Sequence, residues 1–526
     1  MFNYLDTCNQ ILSERGPLLG SELCQIISDS AGVTPNNARQ IIYRLKKLGK
    51  LLSTDPVSFG NNQFIYFLSG HNIVSKIKEV IPDNRKVLHR IYQAFVDQNG
   101  FLFWSDFVKI SGAPLKTTIL KQKTASQIYE DLLSLGLVKP IKYFNQIPVV
   151  IAEKNWVPKV HPTEPNMFKR YEDTILSEQL NKDLLKWLER INIAGWNSTF
   201  LHKIDDEDPC VNDYFWDAHG FTYIWGLYTT DETNNFLDIP IVKKGSLILI
   251  DSVITRPLRI YDITSFISRL QVQNGRIAKN RNYRIIPICF MSRIDTDALN
   301  LARKKGIIII SIAEVFGTRI FEVLDTVRNL DPRNVDPDSL AKVLAVADQS
   351  GQDGKFGSMK GYLFNFLVAT IFNSFGWQTR IGVNYEFGGK RCECDVIAFE
   401  ENEGIMIVCE CKGYNSDTSI ELGNTEEPDT VKRFFERTIY IAGKASNWEV
   451  FPVFITSATF SPDAVEYLEK LSQSKRIQRM SEALNRFPNK IYYDKNELTK
   501  LFSKKKGLST QKQILKEFYT TRKRKD

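Results

Sequence analysis

Histidine and methionine are scarce in this chain of 526 residues, at five and six copies, and cysteine is thin at eight. Cysteines that sparse cannot form a disulfide scaffold in a protein this long, so a reducing, cytoplasmic setting is expected. The histidines, His71, His89, His161, His202 and His219, fall in no metal-ligand spacing, and a helix-face or loop role is expected of each. Neither a nucleophile elbow nor a Ser-His-Asp arrangement can be traced, which excludes hydrolases built on an activated serine. No apolar run approaches the ~18 residues of a membrane span. The opening MFNYLDTCNQ has no basic stretch leading into an apolar one, so neither secretion nor a membrane partner is expected. Gly351, Gly354 and Gly357 with Lys355 lack the spacing and the hydroxyl residue of a phosphate loop, and read as a linker.

What is present is ordinary globular material, 43% hydrophobic, 12% aromatic and 25% charged, with length enough for several domains. Its net charge of +8 is unevenly spread: residues 472–526 carry 16 Lys and Arg against 5 Asp and Glu, so the rest of the chain is slightly acidic. An anionic partner is expected at that end, although a solvated tail has the same signature.

Residues 5–68 predict three helices and a two-stranded wing. Thr34 can cap the third helix, Pro35 suits its first turn, and Gly49 stands past its end. Ala38, Ile41, Ile42, Leu45 and Leu48 recur at helical spacing and are expected in the core, leaving Asn37, Gln40, Arg44 and Lys47 as a polar stripe. This order resembles a winged-helix domain, assigned to residues 1–72, and the resemblance implies that the stripe enters the major groove of double-stranded DNA. Serving as a protein-interaction module is the alternative. The same elements recur over residues 82–155, but Glu130 and Asp131 are expected on the exposed side of the third helix. Carboxylates there would repel phosphates, so this unit is the poorer reader of DNA, although Lys116, Lys121 and Lys123 could touch a backbone.

Beyond Pro162 strands alternate with helices, which predicts α/β architecture. YRIIPICFMSRIDTDALNLARK, from Tyr283, and WEVFPVFITSATFSPDAVEYLEK, from Trp448, match in an apolar strand with an internal proline, a following serine and an Asp-Ala pair opening a helix. Each is preceded by an apolar strand ending in a carboxylate, Asp251 or Glu410. A duplication is the simplest account.

The copies differ where chemistry would sit. In the second, Glu410 and Lys412 share one face of a strand by alternation, and Glu393 and Asp395 share a face of the preceding strand. If the strands are antiparallel neighbours, Asp395 stands beside Glu410 and Lys412. Carboxylate oxygens of this kind suit Mg²⁺, and a lysine can neutralise charge on a phosphodiester under attack. In the first copy Val253 stands where the lysine would be, which predicts a nuclease-like unit without a complete site, Asp217 or Asp213 mimicking the second carboxylate.

Asp395 followed by Glu410-Cys411-Lys412 resembles the PD-(D/E)XK nucleases, the restriction-endonuclease fold, over roughly residues 355–503. The resemblance implies Asp395, Glu410 and the Cys411 carbonyl as ligands of Mg²⁺ or Mn²⁺, and Lys412 as the catalytic lysine. Where many members carry a glutamate in the preceding helix this chain has Asn365, for which Glu393 or Glu386 could compensate. Cys392, Cys394, Cys409 and Cys411 are expected as small core residues rather than zinc ligands, because Cα atoms two apart on a strand lie ~6.8 Å apart.

The expectation is therefore a multidomain α+β and α/β protein. Winged-helix units at 1–72 and 82–155 precede a degenerate nuclease-like domain at 165–335, a nuclease domain at 350–503 and a basic tail at 504–526. Its expected function is that of a metal-dependent DNA endonuclease in restriction or antiviral defence. It would act as a homodimer, because only one complete site is present for two strands. The alternatives are repair or transposition, or a non-enzymatic DNA-binding scaffold.

Overall fold

The structure is a computed structural model. It describes residues 4–117, 122–145, 147–158, 162–203, 210–224, 227, 229–230, 243–277, 284–350, 357–400, 404–414, 418–484 and 486–519. Lys121, His161, Gly351, Gly354, Lys355 and the last seven residues of the basic end lie outside them. Helices and several small sheets make a mixed α+β architecture.

At the front, helices Tyr4–Arg15, Gly20–Ala31 and Pro35–Lys47 pack beside a three-stranded antiparallel sheet. The Thr34 hydroxyl accepts the Asn37 N–H at 3.4 Å, and Pro35 fills the first turn. Ala38, Ile42 and Leu45 are buried, but Leu48, expected in the core, is 71% exposed. The helix ends at Lys47, so Leu48 caps it and leaves its periodicity.

The second unit repeats this order with helices Lys86–Asp97, Trp104–Ser111 and Ala125–Ser134, and again the third strand lies central in its sheet. Helix Val74–Asn84 fills the gap left between residues 72 and 82 and joins the two. Val74, Ile77 and Ile81 share one core with Val57 and Phe59 ahead and Leu88 behind. Asp131, expected outside, is buried. Lys123 Nζ at 2.6 Å and Arg85 at 3.4 Å compensate its charge, which makes burial tolerable.

Two five-stranded sheets follow with one topology. In the middle unit, long helix α1 (Glu164–Arg190) precedes β1 (Thr199–Leu201), β2 (Ala218–Thr222), β3 (Ser246–Leu258), α2 (Ile260–Ile277), β4 (Ile285–Ile294) and β5 (Ile308–Ser311). Later, α3 (Gly357–Ser374) precedes β6 (Gln378–Phe387), β7 (Lys390–Phe399), β8 (Ile405–Lys412), β9 (Glu449–Thr456) and β10 (Tyr492–Tyr493). Both sheets run in sequence order, the first three strands antiparallel and the rest parallel. Shared order and shared pairing sense make the internal duplication a structural correspondence.

Helices α1 and α3 lie against each other in one core. Leu176, Leu180, Leu184 and Leu188 recur every four residues along α1 and are buried with Leu363, Phe366 and Leu367 of α3. Residues 504–519 do not form a separate tail. Helix Ser509–Phe518 buries Ile514, Leu515 and Phe518, and the Tyr519 hydroxyl donates to the Lys360 carbonyl of α3 at 2.8 Å. Its apolar stripe extends the last unit, and its lysines sit on the outer face.

Candidate active site

Strand register builds the site. β7 and β8 are antiparallel with Val396 opposite Cys409, so one step further Asp395 stands beside Glu410. The Cys411 N–H donates to Asp395 Oδ2 at 2.9 Å, which fixes that carboxylate against the end of β8. Because N–H and C=O of a strand residue point to one side, the Cys411 carbonyl also faces β7. Lys412, two residues past Glu410 on the same face, reaches Glu410 Oε1 at 2.8 Å and Asp395 Oδ2 at 3.8 Å.

A third carboxylate joins them. Asp429 Oδ1 lies 2.7 Å from Lys412 Nζ. It stands at φ 63°, a left-handed conformation that Asp tolerates better than most residues. The preceding turn is held by Asn424, whose side-chain oxygen accepts the N–H groups of Glu426 at 2.8 Å and Glu427 at 3.0 Å. Nothing in the local pattern NTEEPDTVKR marks this residue, because its role depends on a strand seventeen residues earlier.

These groups share a cleft of about 610 Å³, into whose wall α3 presents Asn365. Asn365 Oδ1 is buried and has no hydrogen-bond partner among the described residues. Asn365 Oδ1 thus offers a further hard oxygen to the cleft that Asp395 and Glu410 also line. Glu393 also lines the cleft and pairs with Lys203 of the middle unit at 3.4 Å, whereas Glu386 pairs with Arg391 at 2.7 Å and is not part of the lining. Among the described residues no three His, Cys, Asp or Glu side chains are arranged to hold a metal ion. A cation here would rest on Asp395, Glu410, Asn365 Oδ1 and main-chain oxygen.

Electrostatics follow from the crowding of partly buried charges. Burial pushes the Glu410 carboxyl up to about 7; Lys412 eases that rise and the Asp395 charge adds to it. Asp395 is raised as well, chiefly by burial. For Lys412 burial opposes the charge, but Glu410, Asp395 and Asp429 outweigh it and hold the ammonium well above its usual range. Beneath the site Cys394, Cys409 and Cys411 are buried, and the last two bring their sulfurs to 3.5 Å by leaning together, closer than strand spacing alone suggests.

The middle unit repeats the geometry with other charges. Ala218 lies opposite Ile250, so Asp217 stands beside Asp251, and Asp217 accepts the Ser252 N–H at 2.6 Å as Asp395 accepts that of Cys411. Val253 leaves no lysine on the strand. Lys109, from helix Trp104–Ser111 of the second unit, pairs with Asp217 instead and donates to the Ser252 carbonyl at 3.2 Å. Arg269 of α2, 1% exposed, grips both oxygens of Asp251 and donates to the Phe215 carbonyl at 2.7 Å. Both carboxylates are thus neutralised by side chains. Asp213, the other residue considered for this role, sits in a tight turn at φ 72° and is absent from the lining around Asp217.

Asn37, Gln40, Arg44 and Lys47 are exposed together on the third front helix, away from the cleft lining. Tyr43, 61% exposed among them, belongs to the same surface and was not foreseen. Comparison with protein-family models, curated proteins and solved structures finds no match to this chain.

Two outcomes follow from the charges. Glu410 titrates at about 7 when folded against 4.5 ordinarily, so the folded state keeps a proton the unfolded chain releases between those values. Stability falls as pH rises through that window and stays lower above it. Glu410→Gln should therefore raise the metal-free Tm at pH 8 by roughly 2–4 °C, and a Tm below wild type by calorimetry would exclude this strain. Lys109→Met should cost about 3–5 kcal/mol by leaving Asp217 buried and unpaired. Urea titration should show Lys109→Met/Asp217→Asn regaining most of that loss, and no recovery would deny the pairing its role.

Proposed function

We propose that this chain is a metal-dependent endodeoxyribonuclease whose active centre is Asp395, Glu410 and Lys412. The observation that carries the reading is the convergence, from the middle of β7, the end of β8 and α3, of two carboxylates, a lysine and the orphaned Asn365 amide oxygen in one open cleft. Hard oxygen donors beside a permanent cation suit a divalent ion and the charge that develops when a phosphodiester is attacked.

Asp395, Glu410, Asn365 Oδ1 and the Cys411 carbonyl would hold Mg²⁺ or Mn²⁺. When bound, the ion supplies Lewis acidity at the phosphoryl group. Lys412 is held charged by its three carboxylates, so it serves as a cation facing the phosphate and not as a base. Asp429, the most exposed of those three at 56%, is the partner an incoming phosphate can displace. The Cys411 N–H keeps Asp395 oriented throughout.

On this reading the front units are winged helices, the first presenting Asn37, Gln40, Arg44 and Lys47 to duplex DNA, and the two later units are nuclease folds. The middle fold is inert because Arg269 and Lys109 occupy its carboxylates. One working centre per chain calls for two copies to cut both strands, and defence against foreign DNA is the role this combination suits. A purely DNA-binding scaffold is the competing reading, favoured only by the inert middle centre.

Supercoiled plasmid with Mg²⁺ separates them. Wild type should nick or linearise it, and Lys412→Ala or Asp395→Ala should slow cleavage at least ~10²-fold in a protein that still binds DNA. Cleavage unaffected by both substitutions would remove the site from consideration. For the first front unit, Arg44→Ala and Lys47→Ala should each flatten the salt dependence of DNA affinity by about one unit of slope, as read by anisotropy titrations. Identical slopes would mean that this helix does not touch phosphates.

A further inference from the structure

Helix α1 belongs to the middle unit, yet Gln179, Lys182 and Lys186 line the cleft around Asp395, Glu410 and Lys412. Spacings of three and four place them in one row on the helix surface. The residues between them are buried: Asp183, Leu184 and Leu185 face inward, so the helix cannot roll to turn the row elsewhere.

Asp183 ties that row to the site. Its carboxylate accepts the N–H groups of Ser358 at 3.0 Å and Met359 at 3.1 Å, capping the start of α3, the helix that carries Asn365. Both lysines are exposed. Burial opposes the charges of Glu393 and Asp429, and Lys182 is among the cations that keep both below the usual carboxylate range. Arg433 and Arg437 line the same cleft four residues apart, tethered by the Glu426 carbonyl at 2.8 Å and its carboxylate at 2.7 Å. The lining thus sets the cations Lys182, Lys186, Arg433 and Arg437 around the carboxylates Asp395, Glu410 and Asp429. A polyanion laid along such a lining is held by the cations.

We propose that Lys182 and Lys186 bind the DNA phosphates flanking the scissile bond, so that the middle unit, its own centre neutralised, forms one wall of its neighbour's substrate cleft. The proposal rests on the nuclease reading.

The test is cleavage of a short DNA duplex by the full chain with Mg²⁺ across a series of salt concentrations. Lys182→Ala/Lys186→Ala should raise KM roughly tenfold near physiological salt, keep kcat within about twofold, and flatten the salt slope by about 1.8. Lys182→Arg/Lys186→Arg should retain KM, and an unchanged Tm for the alanine pair shows that the fold is intact. Unchanged KM and slope, in a protein whose Asp395→Ala variant is inactive, would overturn this wall and leave the nuclease reading standing. A fall in kcat with KM unaltered would overturn it too. A wild type that cuts no DNA would bring down the nuclease reading and this inference with it.

Discussion

One hydrogen bond organises the late unit: the Cys411 N–H on Asp395 at 2.9 Å, made between the middle of β7 and the end of β8. It holds Asp395 beside Glu410 in a partly buried setting where like charges are costly. The rest of the site answers that cost. Lys412 sits among the carboxylates, Asp429 completes its coordination from a separate turn, and Glu410 titrates near neutrality. Asn365 offers one more oxygen and no charge. On the proposed reading a divalent cation would relieve a centre strained in this way, which makes its construction and its proposed chemistry a single problem.

The middle unit shows the same constraint solved differently. Its register again sets two carboxylates side by side, and a backbone N–H again fixes one of them. Here Arg269 supplies the positive charge from an adjacent helix and Lys109 supplies it from another unit altogether. Neutralised by side chains, the pair holds the second front unit to the middle sheet. Arg170 pairing with Asp106 at 2.8 Å and Arg90 donating to Ser268 at 3.0 Å reinforce that junction. The two copies thus divide the labour, one keeping a cleft open and the other converting its centre into a joint.

Coupling between the units runs through α1. Its leucine row buries against α3, its Asp183 caps α3, and its lysine row borders the late cleft. A 27-residue helix can do all three because it buries Leu176, Leu180, Leu184 and Leu188 together with Asp183 and Leu185, and still leaves Lys182 and Lys186 exposed.

Local pattern determined much of this. The capped third helix, the repeated strand, proline and Asp-Ala sequence, and the alternation that puts Glu410 and Lys412 on one face depend on neighbours a few residues apart. They were legible for that reason. Leu48 was misplaced because periodicity does not say where a helix stops. Asp131 was misplaced because burial of a charge depends on partners, here Lys123 and Arg85, that the helix pattern does not contain. The helical end after residue 508 was hidden because net charge outweighed the three apolar residues Ile514, Leu515 and Phe518 in its composition. Only the tertiary structure decided that Lys109 would serve Asp217 across 108 residues, that Asp429 would meet Lys412, and that Lys182 and Lys186 would border a cleft in another unit. Electrostatic partners are chosen by distance in space, and no sequence period reports that distance.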